Sequence, residues 1–203
     1  MASQTSTAPM NWRIYEALDL DPVLDAALGQ FAQKGYHGTS VRDIAHASER
    51  SISSIYNRYP SKQHMLIRLF EMMLSDLSTR LEAAIATSAS IVVQFECAVE
   101  CLVLFHKCRQ QLAFVALSEL RSLEDDAVQE IAVQRRRIQA VVDDIVRRGV
   151  AGGLFCVTDP VRVSRAVVRV CITLAQEPSV AEDLQELSEA YIEIALRMVN
   201  HKA

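Results

Sequence analysis

The sequence predicts an all-α protein of about nine helices, a three-helix unit at the front and a larger helical body behind it. Three observations carry that reading. Glycine and proline number only six and five in 203 residues, while half of the chain is hydrophobic. Apolar residues recur at i, i+3 and i+4 along most of its length, the period of a helix with one buried face. Ser or Asp stands ahead of most of these periodic stretches, where helix N-caps belong. No stretch reads as a strand, and no internal repeat is found. A chain of this length buries a sizeable core as one compact unit or two small domains. The expected division is a tail over 1–20, a helix-turn-helix unit over 21–66 and a body over 67–203.

Residues 1–10 read as a disordered tail, and Asn11–Leu20 as a short helix docked through Trp12, Ile14 and Tyr15. Asp21-Pro22 opens the front unit's first helix, whose stripe is Leu24, Ala27, Leu28 and Phe31. Ser40 and Asp43 form a capping box for a short second helix bearing Val41, Ile44 and Ala45. After a break at Ser48–Arg50, Ser51 caps a third helix with Ile52, Ile55, Tyr56 and Tyr59 on one face. Pro60 ends it. Ser61 caps a long helix with a stripe from Met65 to Ile85, suited to join head to body; Ser88–Ser90 marks its end. The segment Ile91–Cys108 is apolar nearly all round and therefore central. Another helix spans Gln111 to Arg121. Ser122 with Asp125 predicts the start of the next, running to Arg148 and stopped by Gly149, Gly152 and Gly153. Asp159-Pro160 opens one to about Gln176, and Pro178-Ser179 breaks before the last.

Two short helices joined by a tight turn, the second bearing small polar groups, form the layout that places a recognition helix in a major groove. On that helix Ser53 and Asn57, with Arg50 ahead of it, lie opposite Ile55 and Tyr59, with Ser54 alongside. Hydroxyl, amide and guanidinium are the groups that bind bases and phosphates. Arg42 and Lys62 suit phosphate clamping from either side, and Ser40 and Ser51 serve equally as caps or contacts.

The segment resembles the TetR family of bacterial repressors. Gly35-Tyr36, Thr39-Ser40, Ile44-Ala45, Ile55-Tyr56 and Tyr59-Pro60-Ser61-Lys62 match the family's pattern at its spacing. The resemblance adds Thr39, Ser40, Tyr56 and Tyr59 to the DNA contacts, and implies a repressor bound to a double-stranded palindromic operator. Two departures stand out. The family's small-Gly-apolar turn reads Ser48-Glu49-Arg50 here, which implies a reshaped turn or an outward Arg50. Ile52 either refills the apolar plug or touches a thymine methyl; its place on the apolar face favours the plug.

Leu184, Leu187, Tyr191, Ile194 and Met198 repeat at 3-4-3-4 spacing, a narrow seam of the kind that pairs helices. Val163, Ala166, Val167, Val170, Cys171 and Leu174 give the preceding helix a similar face. Intramolecular packing would use the same stripes. A homodimer is favoured because one short reader helix makes few base contacts and two-fold pairing doubles them. The resemblance implies a four-helix bundle with the partner copy. It also implies an inducer pocket in the body, lined by Met73, Phe95, Cys101, Phe105, His106, Phe114 and Leu117 with Arg121 or Arg135 near its entrance. That lining suits a hydrophobic small molecule with an anionic head, of the fatty-acyl or acyl-CoA type. Solvent exposure or pairing with acids is the favoured reading of Arg135-Arg136-Arg137.

Residues 22–66 hold five Lys/Arg against three acids, a balance of +2 that leaves −6 for the rest of a chain of net charge −4. A basic head on an acidic body fits a DNA-facing unit. The first ten residues lack the basic and apolar regions of a signal peptide, and charges interrupt every long apolar run. The interrupted runs imply no membrane span, and five cysteines without regular spacing argue against a disulfide framework and fit a reducing cytoplasm. Cys97, Cys101 and Cys108 share one stripe, which keeps a thiol- or metal-responsive regulator as the alternative; buried filling is the favoured reading. No cofactor and no bound metal are implied. Without G-x-S-x-G, H-E-x-x-H, C-x-x-C or a phosphate-binding glycine loop, an enzyme is a remote alternative, as is a helical adaptor that binds no DNA.

Overall fold

The computed structural model describes residues 10–177 and 183–201, so the break expected at Pro178-Ser179 and the tail over 1–9 lie outside the described residues. Among them are nine α-helices, two short 3₁₀ turns and no strand. The reader head comprises α1 (Pro22–Gly38), α2 (Val41–Ala47) and α3 (Ile52–Arg58). The Asp21 carboxylate accepts the Val23 and Leu24 N–H groups at 3.0 and 3.3 Å, and starts α1. Gly35 ends its regular part: φ is +72°, so the chain turns there as only glycine does without strain. The Ser40–Asp43 capping box is formed, and the Ser40 bonds hold the Asp43 carboxyl down at about 2.

The helix α4 (Lys62–Ile85) is 24 residues long and starts inside the head; the division expected at residue 66 falls within it. The helix α5 (Ile91–Cys108) packs against α4, α7, α8 and α9, as its all-round apolar surface requires. One residue, Arg109, separates it from α6 (Gln110–Ser118). The next long helix, α7 (Asp125–Ala151), differs from expectation at both ends. Glu124 occupies its N-cap, while Ser122 lies in the preceding 3₁₀ turn and its hydroxyl donates to Glu119 Oε2 at 2.8 Å. At the other end Gly149 is not a stop but a notch. A Cβ there would meet Phe155 Cδ2 at 2.0 Å, and the turn is made instead by Gly153 at φ +70°. Gly149→Ala is expected to cost 1–3 kcal/mol by overpacking, read as a lower urea midpoint at unchanged slope.

Asp159 caps α8 (Pro160–Thr173) and Asp183 caps α9 (Leu184–Met198). The predicted seam divides between two roles. Val167, Leu174 and Leu187 are buried in the chain's own core, α9 lying on α5. Val170, Tyr191 and Met198 are half-buried, and Leu184 (37 %) and Ile194 (44 %) are exposed. Among the described residues no helix is long and apolar enough to cross a membrane.

Asn11–Leu20 is not the short helix that its apolar residues predicted. It is an irregular strap across α4 and α5, with Trp12 buried and Ile14 exposed. Its backbone polar groups are met by side chains from the body. Arg80 Nη1 donates to the Trp12 and Ile14 carbonyls at 3.0 and 2.9 Å, and Arg109 Nη1 to the Glu16 carbonyl at 2.7 Å.

Candidate nucleic-acid interface and ligand cavity

The inner side of α3 is anchored by Ile55 and Tyr59, both buried. The Tyr59 hydroxyl donates to the Asp21 carboxylate, and Arg58 lies 3.4 Å from the same group, so one residue caps α1 and fastens α3. Burial and that carboxylate raise the Tyr59 phenol. Tyr59 is thus part of the head's interior. So is Thr39, whose buried hydroxyl donates to the Gln30 and Gly35 carbonyls at 3.1 and 2.8 Å. Lys62, expected to clamp a phosphate, turns inward: its Nζ donates to the Tyr36 and Thr39 carbonyls at 2.5 and 2.6 Å, over the Tyr36 ring. An ammonium at the carbonyl end of α1 satisfies groups that would otherwise lack partners.

Ser40, Arg42, Arg50, Ser51, Ser53, Ser54, Tyr56 and Asn57 are all exposed. Neither Arg42 nor Arg50 has a carboxylate partner among the described residues, which leaves a cationic edge on the head. Glu49 adopts φ +54° in the turn, the conformation for which the family uses glycine, and Arg50 points outward beside it. Glu49→Gly is expected to remove about 1 kcal/mol of backbone strain and to raise Tm by about 2–4 °C in calorimetry. Ile52 corrects the plug expectation: it is 39 % exposed, because Ile55 and Tyr59 already fill the inner side.

A cavity of about 330 Å³ lies in the body against α4. Its apolar wall is Phe70, Met73, Leu74 and Leu77 of α4, Leu102 of α5, and Ala113, Ala116 and Leu117 of α6. His106 supplies a polar group. Its Nδ1 lies 2.7 Å from the Leu102 carbonyl, and burial pushes its pKa down to about 4. The ring is therefore neutral at physiological pH, with Nδ1–H the donor and Nε2 an acceptor. The α7 and α8 side is mixed: Ile138 and Gln139 of α7 and Val168 and Ile172 of α8 line it together with Arg135, Arg136, Arg165 and Arg169, and none of the four arginines has a carboxylate partner among the described residues. Arg135 is half-buried, and burial lowers its pKa; a guanidinium keeps its charge in proteins.

Of the expected pocket residues, Met73, His106 and Leu117 line this cavity. Phe95 instead packs on Phe155, near the amino end of α5, and Phe105 meets Tyr15 of the strap. Cys101 is buried on another side, Phe114 is half-buried away from the cavity and Arg121 is exposed in the 3₁₀ turn. Arg135 and Arg136 join the lining rather than only facing solvent. Arg165 and Arg169 join the site beyond the residues the sequence suggested, and the signal for them is that they stand at i, i+4 on a helix with no acid after Asp159. Cys97 and Cys101 are buried and Cys108 is half-buried; burial pushes the Cys101 thiol up to about 12 and raises Cys108, which opposes thiolate chemistry. No three His, Cys, Asp or Glu side chains converge among the described residues.

Head and body meet at Gln63, a buried residue of α4. With its amide oxygen toward the Glu124 N–H (2.9 Å), its nitrogen donates to the Tyr36 hydroxyl at 2.9 Å and the Ser122 carbonyl at 3.2 Å. One amide thus joins α1, α4 and the open amino end of α7, the helix that carries Arg135 and Arg136.

A profile described as bacterial regulatory proteins of the tetR family matches residues 23–69. A second, described as a tetracyclin repressor-like C-terminal domain, matches residues 88–199. The chain is 24 % identical over 184 residues to the fatty acid metabolism regulator protein of Bacillus subtilis, covering 89 % of this chain and 95 % of that one. A solved regulatory protein of the tetR family from Rhodococcus RHA1 superimposes with a TM-score of 0.85 at 26 % identity, over 90 % of this chain and 97 % of that one. AibR, solved with isovaleryl coenzyme A and operator DNA, has a TM-score of 0.77 at 15 % identity, over 85 % and 95 % of the two chains, a likeness of fold. The all-helical fold, the helix-turn-helix head and these two matched segments place the chain in the TetR family of DNA-binding transcription regulators.

Proposed function

We propose that the chain is a homodimeric repressor that an acyl-CoA thioester releases from a palindromic operator. The observation that carries the ligand reading is the composition of the cavity: an apolar wall on α4 beside four arginines without carboxylate partners among the described residues. An apolar space accepts an acyl chain, and unpaired guanidiniums accept phosphates in bidentate pairs. A regulator of fatty acid metabolism among the relatives and a neighbour holding isovaleryl coenzyme A support the same class. The exposed Leu184 and Ile194 of α9 support pairing with a second copy.

Release works through α4. Its Phe70, Met73, Leu74 and Leu77 wall the cavity, and its first turn bears Gln63 in the junction with the head. A ligand that prefers a tilted α4 moves the two recognition helices out of register with half-sites about one DNA turn apart. In this reading Ser53 and Asn57 meet bases, and Arg42, Arg50, Ser40, Ser51, Ser54 and Tyr56 meet backbone or groove edge.

Operator selection from random duplexes, followed by anisotropy at several salt concentrations, tests the DNA half. Asn57→Ala is expected to relax preference at one position per half-site by about 1–3 kcal/mol. Arg42→Ala should instead weaken all duplexes alike and reduce the salt slope by about one per lost phosphate contact. Identical losses for both variants on every duplex would contradict this division.

A further inference from the structure

We infer that Ile52 reads a thymine through the C5-methyl group, an inference that rests on the DNA-binding reading above. Ile52 is the first residue of α3 and is 39 % exposed; Tyr56, one turn on, is 48 % exposed. At 100° per residue the two share a side of the helix, next to the side that carries Ser53 and Asn57. The outer surface of α3 therefore presents an apolar strip, Ile52–Tyr56, beside a polar strip, Ser53–Asn57. A single exposed isoleucine is unremarkable elsewhere on a surface. Here it sits on the opening turn of a recognition helix, the part that reaches base edges. Its own core does not need it, since Ile55 and Tyr59 already occupy the inner side of α3.

The major groove offers an apolar side chain one partner, the methyl group of thymine. Local geometry favours the contact. Ser51 Oγ accepts the Ser54 N–H at 3.1 Å and fixes the first turn, so the backbone of Ile52 is set before DNA arrives. A β-branched side chain also has little χ1 freedom left to lose. Serine and asparagine in the neighbouring strip select bases by hydrogen bonding, which a methyl group does not alter. Ile52 is the residue whose contribution depends on that methyl.

The test replaces each thymine of the selected operator by deoxyuridine, which deletes the methyl and keeps the pairing and the O4 acceptor. Wild type, Ile52→Val and Ile52→Ala are titrated on the full set by anisotropy. In wild type, one position per half-site should weaken binding about fourfold, the value of one buried methyl group. Ile52→Ala should bind the thymine operator more weakly and be indifferent to the swap at that position, with Ile52→Val between the two. Wild-type binding that no swap changes would overturn the inference and leave the regulator reading intact. Sensitivity undiminished in Ile52→Ala would overturn it too, by assigning the methyl to another residue. If Ile52→Ala failed to fold by circular dichroism, the wild-type scan and Ile52→Val would still decide. A protein that selects no operator at all would overturn the DNA-binding reading beneath it.

Discussion

Arg80→Ala is expected to lower stability by about 3–5 kcal/mol and to free the amino-terminal strap. Arg80 is 5 % exposed, and its Nε lies 2.7 Å from Asp76 Oδ1. Its Nη1 also serves the Trp12 and Ile14 carbonyls, and its guanidinium stacks 3.9 Å from the Tyr15 ring centroid. Truncation removes the buried charge from beside a half-buried Asp76 and leaves two carbonyls without donors, so the loss is a desolvation penalty as well as a lost contact. Arg109, 3.2 Å from the other Asp76 oxygen, keeps part of the neutralisation and holds the loss within that range. Arg80→Lys should recover only part of it, since an ammonium cannot fork toward a carboxylate and two carbonyls together. Urea unfolding gives the magnitude, and limited proteolysis within 10–20 reports the strap. A loss under about 1 kcal/mol with the strap still protected would contradict the role given to Arg80.

Removing Arg135 and Arg165 together should weaken acyl-CoA binding by about a hundredfold while leaving operator affinity unchanged. Each charge-assisted hydrogen bond contributes about 1.5–3 kcal/mol, and the exposure of Arg165 argues for the lower end. The double alanine variant removes no partner of a buried carboxylate, because neither guanidinium has one among the described residues; it is therefore expected to fold normally. Calorimetric titration with palmitoyl-CoA measures the loss, and S-palmitoyl-N-acetylcysteamine, the same thioester without phosphates, serves as the control. Equal weakening of both ligands would place the effect in the shape of the cavity rather than in phosphate recognition.

The reader head was legible because its determinants are local. Caps at Asp21, Ser40, Ser51 and Ser61 act within three residues of themselves, and the apolar stripes lie on single helices. What spacing does not reveal is where a long side chain ends. Lys62 and Thr39 have the chemistry of DNA contacts, yet the carbonyl end of α1 lies within their reach and takes both. The strap failed as a helix for a related reason: Trp12 and Tyr15 find their places in the body, and Arg80 and Arg109 meet the backbone groups that a helix would have paired. On α5, a helix buried all round carries no period, so nothing in Phe95, Phe105 or His106 tells which neighbour each one faces. The arginines of the cavity come from two successive helices, α7 and α8, and only the packing of one on the other brings them to one space.

If the cavity and the two reader heads share a single equilibrium, a closed binding cycle reveals it. Palmitoyl-CoA is titrated into the free protein and into protein saturated with its selected operator; the operator is titrated with and without saturating palmitoyl-CoA. Linkage requires both affinities to fall by the same factor, expected at tenfold or more, while coenzyme A without an acyl chain leaves operator binding unchanged. Palmitoyl-CoA that binds free and operator-bound protein equally well would contradict the account, however tightly it bound.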